Sequence, residues 1–457
     1  MLAPDIFKAN DIRGIVSGAD RQWDAAGARL LGAHWVDVLG LTPGGPELVI
    51  GRDMRTSSPE LAAAFAAGVT SRGVDVIDIG LASTDLLWFA SGSLDRPGAM
   101  FTASHNPGQW NGIKFCRPGA QPVDPEHLSR LASLADAPAP ETADQAGRVE
   151  QRDLLEAYAA HLHSLVDLSG IRRLRVVADA GNGMAGLTLP AVFADIDAEL
   201  IGLYTDPDGS FPNHQPNPLE PANLRDAQAA VREHDADLAL VFDGDADRCF
   251  IIDERGEVVN PSTLTAVIAA QELDREPGGT IVTNTITSRA VAEIVGEHGG
   301  TVVVSRVGHT YVKSAMARHG AVFGGEHSAH YYFRDFWGAD TGMLAALHTL
   351  NLAGRDTRPL SELVADFTRY EASGEINSTV VDAATCMAEV AEAFASRGTV
   401  SHEDGLMVNG EDWWVNLRPS NTEPLLRLNI EAPDRATVEQ LRDEVLAIVA
   451  RHEPGKE

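Results

Sequence analysis

Three times along this chain, β-branched apolar runs alternate with helix-like stretches, and each set ends a strand in an unusual polar loop. The first set runs ELVIGRD, SSPELAAAFAAGVTSRG, VDVIDIG, a second helix and GAMFTASHN, with Ser58 placed as N-cap and Pro59 at the first helical position. LRVVADAGNG, AELIGLY and LALVFDGDADR form the second set, and GTIVTNT, TVVVSRV and AVFGGEHSAH the third, with helices between. Alternation of this kind implies α/β domains with parallel or mixed sheets, whose functional loops lie outside the carboxyl ends of strands. After about residue 370 the pattern changes to a helix, the closely spaced strands DGLMVNG, DWWVNL and LLRLNI, and a final helix, which reads as a smaller α+β domain. The expected architecture is therefore three similar α/β domains plus a C-terminal α+β domain around a central cleft. The expected divisions are 1–147, 148–254, 255–369 and 370–457. A chain of 457 residues, 44% hydrophobic, exceeds what one core holds, which agrees with several domains. The Ala/Pro-rich stretch 134–147 reads either as a linker or as an extended surface loop.

Composition narrows the function classes. No apolar run approaches a membrane span, and MLAPDIFKANDIRG lacks the apolar stretch of a signal peptide, so a cytoplasmic protein is expected, monomeric or homodimeric. Cys116, Cys249 and Cys386 are far apart and form no CxxC, so they read as small buried residues. A formal charge of −30 argues against a nucleic-acid surface and against long-range attraction of anions. A phosphorylated ligand must then be captured locally, which makes each arginine or lysine beside a Gly-rich or Ser/Thr-rich loop informative.

Four loops carry chemistry. In TASHNPGQWNGIKF, Ser104 has Thr102 and Asn106 where a hydrolase nucleophile elbow needs glycines, so it either closes a turn or does other chemistry. DGDADR places Asp243, Asp245 and Asp247 alternately with small residues directly after LALVF. Three carboxylates so close need a cation, and an all-oxygen set favours Mg²⁺, then Mn²⁺ or Ca²⁺. An EF-hand counted from Asp243 to Glu254 fails at its sixth position, where Arg248 replaces glycine; an acidic surface turn is the other reading. In LRPSNTEP, Arg418, Ser420, Asn421 and Thr422 can cradle a phosphate, with a self-bonded hairpin turn as the competing reading. GGEHSAH offers Glu326, His327, Ser328 and His330 behind two glycines; it lacks HExxH spacing and thiols, and suits either sugar hydroxyls or a satisfied polar turn.

Together the loops resemble those of the α-D-phosphohexomutases, over nearly the whole chain and in the family's order from FKANDIRG to RPSNTEP. TASHNP resembles the family's phosphoserine loop, DGDADR its magnesium loop, GEHSAH its sugar-recognition loop and RPSNTEP its phosphate-binding loop. Ala246 stands where the family more often has glycine, with all three carboxylates intact. The resemblance implies that Ser104 carries a phosphoryl group, and that Mg²⁺ is held by Asp243, Asp245, Asp247 and a phosphoryl oxygen on Ser104. It further implies a hexose 1,6-bisphosphate that turns over in the cleft, with small hexose phosphates as the partners and neither nucleic acid nor membrane. Arg13, Lys114 and His309 match family active-site positions, Lys114 as a proposed acid/base group; Arg248, beside the metal loop, is expected to steady the transferring phosphoryl group, and His330 ends the sugar loop. A lysine that some members carry in the third domain is absent from TNTITS. GEHSAHYYFRDFW is similar to the bacterial phosphomannomutase branch, which implies mannose 6-phosphate and mannose 1-phosphate as main substrates and glucose phosphates as second ones. A phosphoglucomutase, a Mg²⁺-dependent sugar phosphatase and a non-catalytic binding relative are the alternatives.

Overall fold

The computed structural model describes residues 2–419 and 425–454. It contains four sheets, and the first three share one topology. In the first, Leu48–Arg52 lies between two parallel neighbours, Val76–Leu81 on one side and Gly98–Phe101 on the other, and Trp110–Arg117 then adds antiparallel to Gly98–Phe101. In the second, Leu174–Asp179 lies between Ala198–Leu203 and Leu238–Phe242, followed antiparallel by Cys249–Asp253. Thr280–Asn284 does the same in the third, between Thr301–Ser305 and Phe323–Gly325, with Tyr331–Phe333 antiparallel beyond. In each sheet the polar loop therefore leaves the carboxyl end of the strand where parallel pairing gives way to antiparallel, a position that opens a crevice for a ligand. The central strands Leu238–Phe242 and Gly98–Phe101 are buried at every residue, because both faces of these sheets are covered.

The fourth sheet is antiparallel throughout, built on Leu406–Asn409, Trp414–Pro419 and Leu426–Ala432, with helices Ala383–Phe394 and Arg435–Val449 packed on it. One apolar core runs without a break through parts of the first three units, joining residues such as Trp88, Tyr158, Phe242 and Leu347. The fourth unit has its own core around Phe394, Leu417 and Val445.

Two local expectations change. Helix Ser58–Ser71 has Ser57 as its N-cap, so Ser58 is the first helical residue; its Oγ donates to Asp53 Oδ1 at 2.6 Å and caps nothing. The 134–147 stretch is an extended surface loop, pinned to the first unit by Ala143 N and Gly147 N donating to Ser71 O and Thr70 O. It leads into Val149–Gln151, which pairs with Val76–Leu81 in the first sheet, so that sheet continues past residue 147. The three cysteines are buried and unbridged. No helix among the described residues is long and apolar enough to cross a membrane.

Candidate active site

The serine loop begins where Gly98–Phe101 ends. Thr102 Oγ1 accepts the Ser104 N–H at 2.9 Å, and Asn106 N closes a turn onto Ala103 O at 3.0 Å. This turn holds Ser104 in the left-handed region at φ 49°, a conformation that costs a non-glycine residue about 1–2 kcal/mol and persists only where surroundings impose it. Ser104 is 4% exposed, and its Oγ donates to Asp243 Oδ2 at 2.7 Å. Residues 139 apart in sequence thus meet at the lip of the aspartate loop. Gly244 permits the approach, since a Cβ there would lie 2.5 Å from Ser104 O.

Ligand oxygens of Asp243, Asp245 and Asp247 all lie within 4.8 Å of one another, in full burial. Lys114 Nζ donates to Asp245 Oδ2 at 2.7 Å and to Asp247 Oδ2, and Thr84 Oγ1 donates to Asp245 Oδ2 at 2.6 Å. Asp245 Oδ1 and Asp247 Oδ1 are buried without a hydrogen-bond partner. Burial pushes Asp243 up to about 8 against the pull of Arg248, whereas Lys114 and His330 overcome burial and hold Asp247 down to about 2. Clustered oxygens, two orphaned acceptors and one carboxyl forced toward its neutral form are a donor set that fits a hard divalent cation. The EF-hand alternative has no place here, because Glu254 turns away and accepts from Ser361 N and Oγ.

Around this pair the other sequence-derived residues assemble. Arg248 donates through Nε to Asp243 Oδ2 at 3.0 Å, and its Nη2 lies 3.4 Å from Ser104 Oγ. Arg13 reaches the serine loop by donating to Asn106 Oδ1 at 3.1 Å. His309 opens helix His309–His319; enclosure first and the Lys313 ammonium second push it down to about 4, so it is neutral. Enclosure also lowers His330, whose Nδ1 lies 3.0 Å from Ser328 Oγ and whose Nε2 lies 3.8 Å from Asp247 Oδ1. Glu326 is 1% exposed and accepts from Tyr332, Asn284 and Gly308, which leaves Ser328 and His330 as the more open members of that loop. Arg418 is 5% exposed, with its Nη2 3.4 Å from Glu375 Oε2 and its Nε buried without a partner. Glu375 also lies 3.2 Å from Arg427 and 3.9 Å from His327, tying the fourth sheet to the GEHSAH loop. Ser420, Asn421 and Thr422 lie outside the described residues.

Sequence profiles described as phosphoglucomutase/phosphomannomutase match the chain from end to end. Alpha/beta/alpha domain I matches residues 4–141, domain II 156–256, domain III 260–370 and the C-terminal domain 375–448. The chain belongs to the phosphoglucomutase/phosphomannomutase family. It is 38% identical over 440 residues to a phosphomannomutase of Salmonella typhimurium, covering 93% of this chain and 94% of the relative. It is also 38% identical over 452 residues to the phosphohexose mutases of Xanthomonas campestris, covering 97% and 99%. A crystal structure of a phosphoglucomutase/phosphomannomutase family protein from Burkholderia thailandensis superposes with a TM-score of 0.89 at 33% identity, covering 100% of this chain and 99% of that one.

The phosphoglucomutase/phosphomannomutase fold also brings in residues that motif reading passed over. His105 Nδ1 accepts from Arg248 Nη2 at 2.7 Å, and burial first, with Arg248 second, keeps that imidazole neutral. Arg55 lies under the serine loop and Asp404 against the third sheet's loops. A signal existed for Arg55, an arginine in a Ser/Thr-containing loop at a strand end, GRDMRTSS. Thr84 and Asp404 carry no local signal, because their partners lie 161 and 119 residues away. In TNTITS, Thr285 Oγ1 donates to Asp404 Oδ2 at 2.7 Å.

Proposed function

We propose that this mutase interconverts mannose 6-phosphate and mannose 1-phosphate through phospho-Ser104 and a hexose 1,6-bisphosphate, with glucose phosphates as second substrates. The observation that carries the reading is Ser104 Oγ, 2.7 Å from Asp243 at the edge of a buried three-carboxylate pocket, in a family whose similar relatives are named phosphomannomutase. In the forward half, the bond from phosphorus to Ser104 Oγ breaks as a bond to a sugar oxygen forms. That sugar hydroxyl gives up its proton and Ser104 Oγ regains one. After the bisphosphate turns, its other phosphoryl returns to Ser104 by the same steps in reverse. His309 is held neutral and can accept a proton. Lys114 is held as an ammonium by Asp245 and Asp247, which suits the donor half of the exchange. Arg248 and Arg13 face the reacting end, while Arg418, with Ser420, Asn421 and Thr422, grips the phosphate that does not react. Asp243, Asp245 and Asp247, with a phosphoryl oxygen on Ser104, would hold Mg²⁺, which when bound offsets the negative charge of the transferring group.

Kinetics on both sugar 1-phosphates test the substrate assignment: kcat/KM is expected to favour mannose 1-phosphate, and a clear preference for glucose overturns it. Intact mass before and after incubation with glucose 1,6-bisphosphate tests the phosphoserine, and release of inorganic phosphate without isomer reassigns the chain as a phosphatase. Ser104→Ala is expected to abolish turnover while leaving the circular-dichroism spectrum unchanged.

A further inference from the structure

The loop that carries Ser104 has little regular backbone pairing of its own, yet it must hold a residue at φ 49° against solvent-sized disturbances. Besides Thr102 Oγ1 and the Asn106–Ala103 turn, one side chain holds it. Arg55 is 0% exposed and uses all five guanidinium N–H directions. Nε donates to Asp53 Oδ2 at 3.0 Å. Nη1 donates to Pro107 O at 2.8 Å and Trp110 O at 3.0 Å. Nη2 donates to Ser104 O at 2.8 Å and Asn106 O at 2.7 Å. Four carbonyls spread over residues 104–110 are thus collected by one rigid plane, whose charge is balanced by the equally buried Asp53. Asp53 is itself fixed by Ser58 Oγ and by Arg55 N.

The same guanidinium is gripped from the second unit. Phe211 places its ring centroid 5.3 Å from Arg55 Cζ, and Gly209 packs so tightly that a Cβ there would lie 2.5 Å from Arg55 Cα. Phe211 and Gly209 belong to the unit whose strand Leu238–Phe242 leads into Asp243, so Arg55 touches both the serine loop and the unit that carries the aspartates without touching the reacting atoms.

We propose that Arg55, backed by Phe211, is the positioning residue that sets Ser104 in register with the aspartate loop, and that it governs whether the phosphoryl group passes to the sugar or to water. This rests on the reading of Ser104 as phosphoryl carrier. Both acceptors must attack in line, but a bound sugar hydroxyl depends on the serine loop being held in register, whereas water is small and mobile enough to reach that line in a loosened loop. A loosened serine loop therefore penalises transfer more than hydrolysis. Lysine cannot substitute, because a compact ammonium with three donors cannot serve four carbonyls and a carboxylate in one plane.

The test compares full-length wild type and Arg55→Lys with mannose 1-phosphate and glucose 1,6-bisphosphate, measuring isomer formed and inorganic phosphate released in the same reaction. For Arg55→Lys, kcat is expected to fall about 100-fold with KM changed less than about threefold, and the isomer-to-phosphate ratio to fall about tenfold. A role confined to stability lowers both products in proportion and leaves the ratio unchanged, which overturns the proposal. If Arg55→Lys does not fold, Phe211→Leu is judged on the same ratio, where a fall supports the proposal and no change overturns it. Wild type that forms no isomer and no phosphoserine sinks the underlying reading instead, so the two failures are distinguishable.

Discussion

Asp247 shows how much one side chain can be asked to do. Its Oδ2 accepts from Lys114, while its Oδ1 is buried with no hydrogen-bond partner and lies 3.8 Å from His330 Nε2. Replacing it by asparagine removes one of the three carboxylate charges with little change in volume. Asp247→Asn is expected to cost about 100-fold or more in kcat and to weaken Mg²⁺ binding measured by titration calorimetry. Ala246, between the second and third aspartates, sits at φ 61°. Ala246→Gly relieves about 1 kcal/mol of backbone strain but restores freedom to the unfolded chain of nearly the same size. Its thermal midpoint is therefore expected to match wild type within about 1 kcal/mol of stability, and a larger loss would show that the alanine methyl, which is buried, is needed for packing.

At the scale of elements, the decisive piece is the 206–216 loop of the second unit, which carries Gly209 and Phe211 against Arg55 and Pro216 against Gly244. His214 anchors it: Nε2 lies 3.1 Å from Asp179 Oδ2, and Nδ1 lies 2.9 Å from Gln215 O. Burial works against the imidazolium, but Asp179 outweighs burial and raises the His214 pKa above its ordinary value. A raised histidine contributes stability that is fully present below the unfolded value of about 6.5 and is lost as pH climbs through the folded value. The gap in thermal midpoint between wild type and His214→Asn is therefore expected to be wider at pH 6 than at pH 9. An equal gap at both pH values would show that the anchor works without the proton.

Across the whole molecule, the first three units share a continuous core while the fourth keeps its own. Among the described residues, the fourth unit meets the third through several polar contacts. Asp404 Oδ2 accepts from Thr285 Oγ1 at 2.7 Å and Val307 N at 2.8 Å, and Arg289 donates to the carbonyls of Gly410, Glu411 and Trp413. A small apolar patch of Ile286, Met407 and Trp414 lies beside them. Interfaces of this kind let a unit move as a body, which suits a site that must admit a sugar phosphate and shut out water. Asp404→Ala removes the acceptor of two part-buried donors, at a cost of about 1 kcal/mol to docking. KM for the sugar phosphates is expected to rise and cleavage by protease near residues 366–375 to quicken, with the first three units' melting transition unchanged.

The alternation of strands and helices, and the four polar loops that end them, were legible because both depend on local patterns. Periodicity sets which face of an element is buried, and the residues of a loop such as DGDADR are adjacent in the chain. The Ser57 cap and the course of 134–147 were not legible, because each was settled by a partner elsewhere: Ser58 is drawn inward by Asp53, and Ala143 and Gly147 are pinned to the end of helix Ser58–Ser71. The same holds in the site. Sequence alone named Ser104, Lys114 and the three aspartates, since each sits in a recognisable motif. Only the tertiary structure decided that Ser104 donates to Asp243, that Lys114 is held charged between Asp245 and Asp247, and that Arg55 carries the serine loop. Hydrogen bonds and ion pairs between residues 49 to 139 apart depend on how sheets dock, and docking is fixed by the packing of a shared core that no single stretch of sequence contains.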